Sequence, residues 1–295
     1  MKKILYVNGG MKKFGDDFRN ICSQSKIDCI SFRAGINMAI HIENSKVDLY
    51  VDNNLINFDE IGYSFIRVKG KYTQPTALLS TLLKLKGIPF NDSSNTENTF
   101  NDEKVMQMLL FGHAGIPIPR TTIFTKESFE MNEKIILSKH TFPVVLKTSG
   151  SKGNAVWRVE KIEDIKRILG TKVPEYYSAI MQEYVKNTHD IRALYFEGKL
   201  IKAIERYSTD GFYNNVAKGG KTEETLITEE ENEVCVKALE VLNLDFGGID
   251  FLRTDRGLIF FEINKGPVIY GLEEVTGINV PKILIEKISN KYLSS

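Results

Sequence analysis

FGGIDFLRTDRGLIFFEIN, residues 246–264, consists of two apolar runs folded about Asp255-Arg256-Gly257. Runs of this kind around a turn glycine predict an antiparallel hairpin. A three-residue loop puts its last residue in the left-handed region, which Gly257 tolerates. That register sets Thr254 opposite Leu258 and Asp250 opposite Glu262. Alternation along a strand brings Asn264 to the face that carries Glu262. Facing carboxylates repel, and charge in apolar surroundings is costly. A divalent cation relieves both problems. Two carboxylates and an amide oxygen, with no His or Cys in the stretch, suit Mg²⁺ or Mn²⁺ rather than Zn²⁺. The plainer alternative is a solvated strand face with an ordinary acidic pair.

Three further stretches carry chemistry. In FPVVLKTSGSKGNAV, residues 142–156, an apolar strand ends in Lys147 and meets a turn containing Ser149, Gly150, Ser151 and Gly153. Backbone N–H groups of such a turn can approach phosphates closely. The order is not that of a Walker loop, and a plain hairpin turn is the alternative. IMQEYVKNTHDIRALYFEGKLIKAIERYS, residues 180–208, gives a short strand at 181–185 and a hairpin turning at Glu197-Gly198. Asp190 and Arg192 share a face, and Arg206 lies on the returning strand, so a cross-strand ion pair is the simple reading. DGFYNNVAKGGKTE, residues 210–223, is a polar connection with Asn215 and Lys218, of a length that closes over ligands.

Ahead of these lies a different pattern. Strands are expected at residues 3–7, 28–32, 48–51 and 63–68, with apolar helical stripes at 14–22 and 74–86 and Gly87 ending the second. Residues 1–95 read as a small α/β unit, and 91–101, rich in Asn, Ser and Thr, as a linker. Asp102 caps a helix running to about 111. Thr228 and Glu231 form a capping-box signature for a helix ending near 242, and a last helix covers 281–292. From 142 onward the strands read as antiparallel, so the second part is α+β.

Composition excludes several classes. Across 295 residues, 39 Lys and Arg against 38 Asp and Glu leave a net charge of +1, which gives no global attraction to nucleic acid or to a membrane surface. Seventeen Phe and twelve Tyr can fill a sizeable core. No apolar run reaches the ~18 residues of a membrane span, and residues 4–7 are too short for a signal segment. Cys22, Cys29 and Cys235 form no CxxC pair and suit a reducing, cytoplasmic setting. The four histidines have no ligand spacing.

In this order the segments resemble the ATP-grasp superfamily, and most closely its RimK-like carboxylate–amine ligases. The resemblance covers about residues 60–285, through NDEKVMQMLL, GIPIPRTTIF, FPVVLKTSGSKGNAV, MQEYV, DIRALYFEGKLIKAIER, NNVAKGG, GGIDFLRTDRG, FEIN and GLEEVTGINV. It implies an ATP-grasp fold, α/β and α+β, with an N-terminal pre-ATP-grasp α/β domain at 1–95 and subdomains at 96–185 and 186–295. It implies an ATP-dependent ligase that joins a carboxylate to an amine through an acyl phosphate, releasing ADP and phosphate. A kinase-like phosphotransferase and a non-catalytic ATP-binding regulator are the alternatives.

The implied nucleotide contacts are Lys104 and Lys147 on phosphates, Ser149, Gly150, Ser151 and Gly153 as the covering loop, Gln182, Glu183, Tyr184 and Val185 as the adenine hinge, and Asp190 on the ribose side. Arg192, Arg206, Asn215 and Lys218 fall around the γ-phosphate and the acceptor carboxylate. Asp250, Glu262 and Asn264 match the ligands of two Mg²⁺ or Mn²⁺ ions. The implied partners are small-molecule or peptide substrates, with a homo-oligomer allowed. The basic run Lys69-Gly70-Lys71 beside Arg67 keeps a peptide substrate open beside small molecules. Two departures bear on substrate identity: Lys265-Gly266-Pro267 follows Asn264 where relatives carry a small residue and Pro-Gly, and Ala217-Lys218 stands where relatives carry His-Arg.

Overall fold

Strand β1 (Lys3–Asn8) is followed by α1 (Lys12–Gln24), which buries Phe14, Phe18 and Cys22 and returns the chain to β2 (Cys29–Phe32). β2 and β6 (Ile61–Arg67) flank β1, both parallel to it, in a three-stranded sheet. Between them β3 (Met38–Glu43), β4 (Lys46–Val51) and β5 (Asn54–Leu55) form a separate antiparallel sheet. β3 was not expected from the sequence. Met38, Ile40 and Ile42 do alternate with Ala39, His41 and Glu43, but the strand is largely exposed, and Ile42 with it. Helix α2 (Thr73–Leu85) ends before Gly87, which has φ +68° as anticipated.

The structure, a computed structural model of the chain, describes residues 2–9, 12–68, 72–93, 96, 104–148, 156–173, 178–207 and 221–293. Of the sequence-derived candidates, Ser149, Gly150, Ser151, Gly153, Asn215 and Lys218 lie outside the described residues. So do Asp102, the run 69–71 and most of the 210–221 segment.

Helix α3 (Lys104–His113) precedes a four-stranded antiparallel sheet ordered β7 (Thr121–Phe124), β10 (Ala179–Glu183), β8 (Val144–Thr148), β9 (Val156–Val159). Helices α4 (Lys126–Ser138) and α5 (Ile162–Thr171) pack on it around Phe129, Leu146 and Ile165. A five-stranded antiparallel sheet follows, ordered β13 (Thr222–Thr225), β12 (Lys199–Tyr207), β11 (His189–Phe196), β14 (Phe246–Thr254), β15 (Gly257–Asn264). Helix α6 (Glu229–Val241) starts in the anticipated capping box, with Thr228 Oγ1 accepting from Glu231 N–H at 3.2 Å and Glu231 Oε2 accepting from Thr228 N–H at 2.9 Å. Helix α7 (Tyr270–Thr276) follows, and α8 (Val280–Ile288) gives way at Ser289 to a wider turn, four residues earlier than the sequence suggested.

The two faces of the five-stranded sheet have different cover. Ile191, Ala193, Tyr195, Ile249 and Phe251 point to α3 and α6. Leu194, Phe196, Ile204 and Phe246 point the other way, to α1, α8 and the parallel sheet. By alternation this second face also carries Asp190, Arg192 and Arg206. Its apolar part is covered by α1, the parallel sheet and the C-terminal helices α7 and α8.

At the hairpin tip, Thr254 pairs Gly257 and Leu258 pairs Arg253, so the loop has two residues, Asp255 and Arg256, and not three. The ladder then steps from Phe251↔Phe260 to Asp250↔Glu262. The bulge at Phe261 absorbs the extra residue, so Asp250 faces Glu262 as expected although the tip register differs by one.

Candidate active site

Four charged side chains run across β12, β11 and β14 in alternating sign. Arg206 grips Asp190 through two bonds of 2.6 and 2.7 Å, and its guanidinium also lies 3.2 Å from Asp250. Arg192 grips Asp250 through bonds of 2.8 and 2.6 Å. The bidentate fork fixes each carboxylate plane. The row is largely withdrawn from water: side-chain exposure is 8% for Arg206, 16% for Asp190 and 9% for Asp250. Burial works against the Arg206 charge, but Asp250 and Asp190 outweigh it and hold the guanidinium protonated. Burial also pushes the Asp190 carboxyl upward, and Arg206 opposes that push.

Beside this row, on β15, Glu262 takes Lys104 Nζ from α3 at 2.6 Å and the Asn264 amide N–H at 3.0 Å. Burial would raise the Glu262 carboxyl, but Lys104, Asn264 and Lys147 together hold it at about 2. Lys147, on β8, lies 5.1 Å over the ring of Phe261, the bulge residue. Burial lowers its ammonium to about 8, with help from the like charge of Lys104 and against the pull of Glu262. The repulsion expected between Asp250 and Glu262 is therefore met by the protein's own cations, arginines on one carboxylate and lysines on the other.

The hinge residues close β10. Gln182 is buried, and its Nε2 donates to Met108 Sδ at 3.2 Å and to Thr121 Oγ1 at 2.9 Å. Thr121 spends its own proton on Pro119 O at 2.6 Å, which fixes the orientation of the amide. Gln182 Oε1 is left buried with no partner among the described residues. Glu183 is held by Arg120 from the β7 side at 3.5 Å and by Arg256 from the β14–β15 turn at 3.0 Å. Burial opposes ionisation of Glu183, but Arg256 and Arg120 keep its carboxyl below the usual range. Tyr184 lies under the Arg158 guanidinium, 4.5 Å from the ring centroid; it and Val185 follow the strand, which ends at Glu183 and not at 185. The sequence singled out neither Arg120 nor Arg256, since nothing local says that a turn arginine will reach another sheet.

A family model described as "RimK-like ATP-grasp domain" matches residues 101–288. The chain belongs to the RimK-like ATP-grasp family. It is 30% identical over 209 residues to the ribosomal protein bS6–L-glutamate ligase of Escherichia fergusonii, a match spanning 70% of this chain and 68% of the relative. It is 28% identical over 210 residues to a probable alpha-L-glutamate ligase of Haemophilus influenzae, spanning 70% and 68%. Among solved structures it superposes on the ATP-grasp ligase PsnB, complexed with a minimal precursor, with TM-score 0.72, 16% identity and 98% of both chains covered. D-alanine–D-alanine ligase from Bacillus anthracis gives TM-score 0.65 and 17% identity over 99% of this chain and 98% of that one. The chain is thus an ATP-grasp carboxylate–amine ligase, and ATP with Mg²⁺ is the family's requirement. Among the described residues no helix is long and apolar enough to cross a membrane.

The donor set suits Mg²⁺. Asp250, Glu262 and Asn264 offer two carboxylates and one carboxamide, all oxygen donors on neighbouring strands. Asn264 donates through nitrogen to Glu262, which leaves its carbonyl oxygen as an acceptor.

Proposed function

We propose that this ligase activates a carboxylate of a peptide or amino acid as an acyl phosphate and passes it to an amine. The carrying observation is the adjacency of two charge systems at one sheet: the Asp190–Arg206–Asp250–Arg192 chain, and Glu262 with Asn264 on the neighbouring strand β15, met by Lys104 from α3 and with Lys147 beside it. Such a site neutralises transferring phosphate charge, and this class of chemistry needs that more than an acid–base pair.

In this reading the substrate carboxylate oxygen attacks the γ-phosphorus of ATP and ADP leaves with the bridging oxygen. The amine then attacks the acyl carbon, phosphate departs, and the amine gives up a proton. Lys104 and Lys147 lie along the phosphates. Arg192 and Arg206, fixed by their carboxylates, orient the acceptor carboxylate and the transferring group. Asp190 serves in this arrangement through Arg206. The buried acceptor Gln182 Oε1 suits the amino group of adenine, with the backbone at Glu183–Val185 receiving the ring. Two Mg²⁺ ions, held by Asp250, Glu262 and Asn264, would neutralise phosphate charge when bound. Residues 149–153 and Asn215 and Lys218 complete the nucleotide cover and the substrate side.

Peptide substrates are favoured because the bS6 ligase and PsnB are named for, or complexed with, a protein and a precursor. A cytoplasmic setting and the division at about 95 and 185 belong to the same reading, which leaves the oligomeric state open. Screening ADP release across amino acids, dipeptides and peptides, followed by mass spectrometry of the product, tests it. ADP release with no new amide under any pairing would overturn the ligase assignment.

Lys147 gives a pH signature. Its folded value, about 8, lies below its ordinary 10.5, so the cost of keeping it charged is present in full below pH 8. That cost is relieved as pH climbs from 8 towards 10.5, since the unfolded chain then binds more protons. Phosphate oxygens favour the ammonium, so nucleotide binding above pH 8 draws in a proton. ADP affinity, measured by calorimetry, is therefore expected to weaken above pH 8, by up to about tenfold per unit. Lys147→Met should lose both that slope and part of the affinity, and should also lower kcat. A slope unchanged in the variant would remove Lys147 from the phosphates.

A further inference from the structure

Residues 91–93 tie three parts of the chain together. The Asn91 carboxamide accepts from Ile66 N–H at 2.6 Å and donates to Ile66 O at 2.9 Å, which anchors it to β6. Asp245 N–H donates to Asn91 O at 2.9 Å and Ser93 N–H to Asn243 O at 3.2 Å, with Asp92 bridging Leu244 between them. The segment therefore runs antiparallel to the residues that lead into β14. The third tie is a side-chain pair: Lys265 Nζ lies 3.0 Å from the Asp92 carboxylate, with only 9% and 5% of the two side chains exposed. Lys265 is the first residue after β15. One knot thus joins the start of β14, which carries Asp250, to the end of β15, which carries Glu262 and Asn264.

A buried ion pair is a weak source of net stability. Desolvating two charges offsets their attraction, and apolar residues of similar size often serve the fold as well or better. The pair is directional, however, and it acts one residue from Asn264. Pro267 adds to the constraint by packing on Gly248, where a Cβ would come within 2.6 Å of it.

We infer that Lys265 is a positioning residue: held by Asp92, it fixes the end of β15 so that Glu262 and Asn264 present their oxygens together to the divalent cation. This rests on the reading of Asp250, Glu262 and Asn264 as the metal-binding set.

The test uses the full chain. Mn²⁺ binding in the presence of ADP is followed by electron paramagnetic resonance, metal-free ADP binding by calorimetry, and melting temperature alongside. In the double variant Asp92→Leu/Lys265→Met, Mn²⁺ is expected to bind about tenfold more weakly, the usual effect of a residue that orients a ligand. Metal-free ADP binding should stay at the wild-type level and melting should not fall. Lys265→Arg should retain most of the Mn²⁺ affinity. Wild-type Mn²⁺ affinity in the double variant overturns the inference, as does a parallel loss of ADP binding and melting temperature, which marks a merely structural pair. Should the double variant fail to fold, Lys265→Gln is read the same way. Glu262→Gln is measured beside them. If it also binds Mn²⁺ like wild type, the metal-binding set itself is wrong. If it loses Mn²⁺ while the double variant does not, only the role of Lys265 falls.

Discussion

Glu262→Gln is expected to abolish ADP release while leaving the chain folded. The amide keeps the shape of the side chain and removes its charge, so the loss falls on whatever needs the carboxylate. Two facing carboxylates in isolation would suggest that removing one stabilises the protein. The structure reverses that expectation, because Glu262 already takes Lys104 at 2.6 Å and Asn264 at 3.0 Å, and Lys147 also helps to keep it ionised. Without the carboxylate, Lys104 loses its ion-pair partner and the like charges of Lys104 and Lys147 are less compensated. Loss of a charged hydrogen-bonded pair then costs on the order of 1–3 kcal/mol, and melting temperature falls. Turnover and melting are to be measured on the same preparation. Retained activity would take Glu262 out of the site. A raised melting temperature would mean that repulsion from Asp250 outweighs the lysines.

What the sequence made legible, and what it hid, follows from the range of each interaction. Period-two and helical stripes are local, and so are the capping box at Thr228 and Glu231 and the tight turn at Glu197-Gly198, whose φ values are +49° and +67°. These were readable. The order of motifs gave the ATP-grasp fold, which the family match and the superpositions bear out. The facing of Asp250 and Glu262 was correct, but by compensation: the hairpin tip is one residue tighter than expected, and the Phe261 bulge returns the register. A bulge is a tertiary accommodation, and no residue type announces it. The partners of the site carboxylates were illegible for the same reason. Arg192 and Asp250 are 58 residues apart, and their pairing depends on β11 lying beside β14, an order no local pattern states. Lys265 gave a faint signal as a lone cation among Gly, Pro and Val, yet only the fold shows that it turns inward to Asp92.

Arg206→Met is expected to be the most destabilising single change in the site. Arg206 has 8% of its side chain exposed, and it is the cation that grips Asp190 directly while also reaching Asp250. Asp250 keeps Arg192 when Arg206 is removed, whereas Asp190 loses its bidentate grip. Breaking a buried pair from one side typically costs about 3–5 kcal/mol, because a charge remains in low-dielectric surroundings. Arg192→Met should cost less, since Asp250 retains Arg206. The acid that is left behind gives the deficit a pH dependence of known sign. Burial already pushes the Asp190 carboxyl upward, and without Arg206 nothing comparable opposes it. A carboxyl whose folded value lies above its unfolded value binds more protons folded than unfolded, so its stability contribution improves as pH falls. The gap between variant and wild type, from urea midpoints, should therefore narrow from pH 7 to pH 5. Adding Asp190→Asn should recover much of the gap at pH 7, because it removes the stranded charge. ADP release should stay low in both, since neither variant restores the guanidinium. A gap that is constant with pH and unmoved by Asp190→Asn would show that Arg206 stabilises the sheet through the packing of its stem, and the charge row would then lose its place as the support of the site.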